Sequence, residues 1–265
     1  MHVAMTVAVT VIVAEALPAL TAEVEHKKAP KSRKSVRFSN MGIPPRVQCT
    51  AQSREGGSPV QDNYGSMKIL VVGANGTIGK AVVEELKTRH EIVSAGRTSG
   101  DQRIDIGDLA SIRALFVKVG QVDAVVSAAG DVHFGPLLEM TPEQLQIGLS
   151  HKLMGQVHLA LEAAKHLNPG GSVTLVAGSL SHDPIRFGAS ASLVNSAIEG
   201  FVRAAAIEFP PGMRINAVSP TVLCESMGAY GAYFRGTECV PAKRVGLAFS
   251  KSVEGAQTGQ VYFVE

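Results

Sequence analysis

The chain contains no tryptophan, and aromatic residues make up only 5% of it. Glycine is abundant instead, at 27 residues, and small residues in such number suit close packing of helices on a sheet in an α/β domain. Cysteine is scarce. Cys49, Cys224 and Cys239 show no Cys-x-x-Cys pair and no metal-like spacing, which argues against a disulfide framework or a zinc site. No metal is expected. The 265 residues, 45% of them hydrophobic, suit one good-sized globular domain with an extension.

Charge of one sign is also missing from most of the chain. Residues 1–66 carry eight Lys/Arg against five Asp/Glu, and residues 67–265 carry seventeen against eighteen. The body is near neutral and has no basic stripe of the kind that nucleic-acid binding needs. Met1–Leu20 is apolar, but it is short and broken by Glu15 and Pro18, so it is a poor membrane span. Neither nucleic acid nor membrane is an expected partner.

A more local absence concerns chemistry. From Phe187 to Pro211 the sequence reads as a helix after a Ser- and Ala-rich opening, and Pro210-Pro211 stops it. It holds no ionisable side chain before Glu199. Such a helix packs well on a sheet yet offers no acid, base or metal ligand.

What is present is an alternation of strands and helices. Met67–Leu86 starts as an apolar strand, passes through a glycine turn and continues as an amphipathic helix. Glu91–Arg97, Gln102–Ile106, Asp123–Gly130, Ser172–Ser179, Met213–Pro220 and Gln260–Val264 read as six further strands. Helical patterns fill the gaps, notably Glu143–Leu167 and Ser192–Glu208. The expected fold is therefore α/β, a Rossmann-like doubly wound parallel sheet of about seven strands with helices on both faces.

Gly73, Gly76 and Gly79 recur at a spacing of three between the first strand and its helix. Glycine there permits a tight turn and lets backbone N–H groups approach a pyrophosphate at the helix N-terminus. Gly73, Asn75, Gly76, Thr77, Ile78 and Gly79 are the candidate cofactor cradle. Arg97 stands just past the second strand, where an acid would hold the adenosine ribose of NAD. An Arg there favours a 2′-phosphate, hence NADP(H) over NAD(H), although a solvated surface Arg is the plainer alternative. Asp105, after the third strand, could hydrogen-bond adenine or be an ordinary strand-end Asp.

Together these residues resemble the short-chain dehydrogenase/reductase family over Lys68–Glu265. The resemblance rests on the glycine turn, Asp105, "SAAG" (Ser127–Gly130) and "GS" (Gly178-Ser179). It rests also on "AIEGFVRAAAIE" (Ala197–Glu208), "RINAVSPT" (Arg214–Thr221) and "TGQVYFV" (Thr258–Val264). It implies a nicotinamide cofactor, a carbonyl or alcohol substrate, a homodimer or homotetramer, and cofactor contacts at Ala128, Ala129, Gly130 and the Val222 backbone. In the family a Tyr is the general acid/base, a Lys four residues on lowers its pKa, a Ser orients the substrate oxygen, and an Asn anchors a water relay.

Anchored on Glu199-Gly200, the alignment puts Ala191 at the Tyr position and Asn195 at the Lys position. Ser179 is kept, with the loop before the helix one residue shorter than usual. Lys152, in "KLMG" (Lys152–Gly155), stands at the Asn position. Ser179 and Lys152 are the candidate catalytic residues. Lys152 either packs its stem and sends its amine to water, or brings an ammonium into the space the missing Lys leaves. His133, His182, Tyr230 and Tyr233 are weaker candidates for proton delivery.

The expected protein is an NADP(H)-dependent oxidoreductase with a rearranged site acting on a small molecule. The other reading is a catalytically silent NADP(H)-binding sensor or scaffold.

Residues 1–66 stand apart as a leader. His26–Arg54 carries eight basic residues and no acidic ones, with several Ser, Thr and Pro, as organelle transit peptides do. "RVQCTA" (Arg46–Ala51) resembles a chloroplast processing site. The localisation expected is the plastid if this segment is a transit peptide, and the cytoplasm if the true start is Met67. In both cases residues 67–265 form the single NAD(P)-binding domain. A chain beginning at Met67 should be soluble and melt like the full chain; insoluble protein or a much lower melting temperature would place the leader inside the fold.

Overall fold

The computed structural model describes residues 65–265. Residues 1–64 of the leader, with its transit-peptide and processing-site readings and Cys49, lie outside them.

Strands β1 (Lys68–Val72), β2 (Glu91–Gly96), β3 (Gln102–Arg103), β4 (Val122–Ser127), β5 (Leu167–Val176), β6 (Arg214–Pro220) and β7 (Val261–Val264) form one sheet. Its order is β3-β2-β1-β4-β5-β6-β7, and every pairing is parallel. This is the doubly wound Rossmann-like sheet expected. Successive residues of a strand face opposite sides. In β1, Leu70 and Val72 join the core beneath helices α2 (Leu109–Val119), α4 (Gly155–Ala163) and α5 (Ala189–Glu208). Ile69 and Val71 join the other core, beneath α1 (Thr77–Leu86) and α6 (Ala242–Glu254). Burial on both faces is why the strands read as unbroken apolar runs.

The strand order reverses beside β1, whose neighbours are β2 and β4. In open α/β sheets the crevice at the carboxyl ends of the strands at such a point is where ligands bind. The chain then assembles its remaining loops around that end.

Two elements depart from the sequence expectation. The helix expected over Glu143–Leu167 is three pieces: α3 (Pro142–Ile147), a π-helical segment (Gly148–Met154) and α4. Leu167, expected at the helix end, already pairs in β5, and the strand reaches Ser172 only after a bulge. The π segment has a steric reason at both ends. A Cβ on Gly148 would lie 3.1 Å from Ser190 Oγ of α5, and one on Gly155 would lie 2.8 Å from the Ile106 carbonyl oxygen. Glycine at both ends lets the segment approach α5 and the loop after β3, and the wider turn lies between them. Such π turns are rare and often found at functional sites.

The helix without chemistry is core. Ala191, Val194, Asn195 and Ile198 are buried along α5, and Glu199 faces inward rather than to the crevice. Its carboxylate accepts from Ser181 Oγ at 2.6 Å and Ser219 Oγ at 3.0 Å, and pairs with Arg203 at 3.2 Å. That buried acceptor ties α5 to β6 and to the short turn Ser179–Ser181 (Ser179–Ser181 being one 3₁₀ turn).

One expectation on cysteine is corrected. Cys224 and Cys239 form a disulfide, with their Cα atoms 4.9 Å apart. The parallel bridge between Leu223 and Val240 brings the two ends of this 15-residue separation together. The pairing is long-range and follows no spacing motif, so the sequence does not advertise it.

Candidate active site

Two adjoining cavities open at the carboxyl ends of the strands. The first, about 270 Å³, is lined by Gly73, Gly76, Arg97, Asp105, Ala128, Ala129 and Gly130, all expected cofactor contacts. Gly73 has φ +84°, and a Cβ there would lie 2.7 Å from the Ala128 carbonyl oxygen. A Cβ on Gly79 would strike the Gly73 carbonyl oxygen and lie 2.7 Å from Ala74 Cα. The cradle thus exists only because these positions have no side chain. Gly76 begins α1 without any side-chain cap, so the first N–H groups of the helix point outward unclaimed by a side chain. These features fit a pyrophosphate, and the polar Arg97 and Asp105 fit the adenosine end.

Not all the expected contacts face that cavity. Asn75 and Thr77, with Gly76, line a separate opening beside Lys80 and Lys243, and Asn75 Nδ2 donates to Ser99 Oγ at 2.7 Å. Ile78 packs its side chain on the core below. Asp105 Oδ1 accepts from the Gly107 N–H at 2.9 Å, so part of its hydrogen-bonding capacity serves its own loop.

The second cavity, about 150 Å³, brings together Lys152, Ser179, Ala191, Asn195 and Val222. Val132, Phe134, Leu180 and Phe234 make the rest of its wall largely apolar. Lys152 comes from the π segment. Its Nζ donates to the Ala177 carbonyl oxygen at 3.1 Å, just past the end of β5. Its stem fills the space where Gly130 lacks a side chain: a Cβ on Gly130 would lie 2.7 Å from Lys152 Cγ. Burial pushes the Lys152 ammonium down from the ordinary lysine value to about 8. Lys152 as a whole is half-buried, with its amine bonded to a backbone carbonyl oxygen at the cavity wall. Ser179 and Asn195 are buried, and Asn195 Oδ1 has no hydrogen-bond partner.

Gln156, one turn beyond Lys152, holds this arrangement. Its Oε1 accepts from the Val176 N–H at 2.8 Å, and its Nε2 donates to the Val176 and Lys152 carbonyl oxygens at 2.9 and 3.1 Å. The residue is fully buried. A polar side chain inside a helix, surrounded by apolar residues, gives no sequence sign of such a role.

The weaker candidates lie elsewhere. His182 Nε2 pairs with Glu265 at 2.6 Å, and its ring sits edge-on to Phe263 of β7. That contact fixes the imidazole at the sheet edge, and it lines neither cavity. Tyr230 and Tyr233 pack on Phe134 with ring centroids 5.8 and 5.4 Å away, within the loop closed by the disulfide. They cover the cavity wall instead of lining it. His133 lies against Gly135 in the loop after β4.

Sequence reasoning overlooked Asp131 and His151. Asp131 follows Gly130 directly, and His151 precedes Lys152; both line the first cavity. Their adjacency to recognised motifs was the only available signal.

Comparison with known proteins agrees with this geometry. A family model described as Enoyl-(Acyl carrier protein) reductase matches residues 66–242. The chain belongs to the short-chain dehydrogenase/reductase family. It is 33% identical to trihydroxynaphthalene reductase PfmaI of Pestalotiopsis fici over 178 residues, which are 57% of this chain and 62% of that protein. The match thus spans less than two thirds of that relative's length. Carbonyl reductase [NADPH] 2 of Sus scrofa is 26% identical over 64% of this chain and 77% of its own. The crystal structure of the protein lin1944 from Listeria innocua superposes with a TM-score of 0.74 and 49% identity, over 76% of this chain and all of that one. The family is one of oxidoreductases that use a nicotinamide cofactor, and reductases are among this chain's relatives.

Replacing Gln156 by Leu leaves the Val176 N–H and carbonyl without their partner inside the protein. Gln156→Leu should lower unfolding free energy by about 2–4 kcal/mol, the cost of orphaning two buried groups. Urea denaturation measures it; an unchanged midpoint would show that this amide does not hold the end of β5.

Proposed function

We propose that the chain is an NADP(H)-dependent oxidoreductase for a small carbonyl or alcohol, in which Lys152, with the retained Ser179, serves in a site that lacks the family's Tyr and Lys. The observation that carries this reading is the half-buried Lys152 amine, held against Ala177 in the same cavity as Ser179. Ala191 and Asn195 on the facing helix transfer no proton at neutral pH.

Bound cofactor would supply hydride transfer to or from a carbon. Gly73, Gly76 and Gly79 would cradle its pyrophosphate, and Arg97 would pair with a 2′-phosphate through charge-assisted hydrogen bonds. The protein's own part is at the oxygen. The Lys152 ammonium polarises a carbonyl oxygen and stabilises the alkoxide charge that develops there, and Ser179 Oγ donates to the same oxygen. In a site walled by Val132, Phe134 and Phe234 these electrostatic effects exceed their size in water. The cavity's small volume and apolar wall favour a small or apolar substrate. The name of the pig relative, which includes NADPH, supports the cofactor reading.

One observation favours the alternative, a silent NADP(H)-binding protein: α5 presents only a buried Ala and a buried Asn where the family has its acid and its cation. The two readings separate in one experiment. A panel of small ketones, aldehydes and alcohols is screened by NADPH absorbance, then turnover and cofactor affinity are measured together. Lys152→Met should lower turnover by about tenfold or more, the loss expected of one charge-stabilising donor, while NADPH affinity changes much less. Unchanged turnover would remove Lys152 from the mechanism. If no substrate is turned over, and Ala191→Tyr with Asn195→Lys creates reductase activity, the protein is a binder.

The cofactor preference has its own test. Calorimetric titration should show NADPH binding tighter than NADH, with Arg97→Ala narrowing the gap by about tenfold, as loss of a charge-assisted pair does. Equal affinities in the unmutated chain would refute it.

A further inference from the structure

The acid that the sequence lacks after β2 is supplied from another strand. Arg97 follows β2, Asp131 follows the turn at the end of β4, and β1 lies between those strands. Their side chains meet across the first cavity, with Arg97 Nη1 3.6 Å from Asp131 Oδ2. His151 Nδ1, from the π segment, approaches the same carboxylate oxygen at 3.7 Å. All three residues line the cavity with Gly73, Gly76 and Asp105.

Both separations exceed ordinary hydrogen-bond lengths. The Arg97 and Asp131 side chains are 63% and 59% exposed. Such pairs contribute little to stability and are easily rearranged. Asp131 therefore has scant structural work, yet it places a negative charge beside Arg97, the cation suited to a 2′-phosphate. A carboxylate can accept a hydrogen bond from a ribose 2′-hydroxyl, whereas it repels a phosphate ester at that position. Arg97 has the opposite bias. Preference between the two cofactors is a difference of affinities, and a repulsive element sets it as much as an attractive one does.

We infer that Asp131 is a specificity-determining residue that opposes Arg97, holding the guanidinium as a resident anion and weakening the preference for NADP(H) over NAD(H). The inference rests on the reading of this cavity as the adenosine end of the cofactor site. It makes the cofactor choice a contest between two side chains from different strands, and removing the carboxylate charge tips it further toward NADP(H).

Asp131→Asn keeps the side chain's size and removes its charge. NADPH, NADH, adenosine 2′,5′-bisphosphate and AMP are titrated calorimetrically into the unmutated chain, Asp131→Asn and Arg97→Ala. For Asp131→Asn, NADPH and the bisphosphate should bind about 3- to 5-fold more tightly, the scale of an exposed charge pair, while NADH and AMP are unchanged or weaker. NADPH affinity that stays level or falls in Asp131→Asn would overturn the inference; a fall would mean that the carboxylate positions Arg97 for the phosphate. If Arg97→Ala narrows the NADPH–NADH gap while Asp131→Asn does not widen it, only the role of Asp131 is lost. If neither variant changes any affinity, the adenosine reading of the cavity falls with it.

Discussion

The end of β5 is held by one short stretch of helix, through two side chains. Gln156 bonds both backbone groups of Val176, and Lys152 donates to the carbonyl of Ala177. Those bonds fix where the strand stops and where the Gly178-Ser179 turn begins, so they place Ser179 as well. They also decide the fate of the Lys152 amine. Its stem runs past Gly130, which has no side chain to block it, and ends on the Ala177 carbonyl oxygen. The π turn between Gly148 and Gly155 makes the path available.

Holding an amine there has a thermodynamic consequence. Folding lowers the Lys152 pKa, so the charged form costs the fold stability below about pH 8. That cost fades as pH rises from there toward the ordinary lysine value, because over that window the unfolded chain binds more protons. Among the described residues no carboxylate pairs with this amine, and it shares its cavity with Ser179. On the other side of Gly130, Asp131 and Arg97 set a weaker electrostatic balance at the first cavity. The glycine turn at Gly73 and the "AAG" turn thus serve both cavities at once.

Much of the fold was legible because its signals are local. Seven apolar runs, the glycine spacing and the proline stop after Glu208 each depend on neighbours in sequence, and all seven strands form, with ends shifted by a few residues. The π turn was not legible, since it is one seven-residue stretch between two α-helical pieces, too short for its wider period to show in the apolar pattern. The Cys224–Cys239 bridge was invisible for a different reason: its geometry comes from the parallel bridge between Leu223 and Val240. At the site, alignment to the family's motifs named Lys152 and Ser179, which do line one cavity. It could not name Asp131 or Gln156, whose roles arise from contacts between separate elements. The same limit misplaced His182, whose pairing with Glu265 at the far end of the chain no local reading foresees.

Lys152 brings a cationic amine to a largely apolar cavity wall beside Ser179. Its pKa tests that most directly. Lysine-labelled protein can be titrated by NMR, with Lys152→Met identifying the signal. The Lys152 signal should titrate near pH 8, so that the amine is cationic at neutral pH and any turnover relying on the ammonium declines as pH rises through that value. A signal titrating at the ordinary lysine value, about 10.4, would place the amine in water and contradict its role at the site.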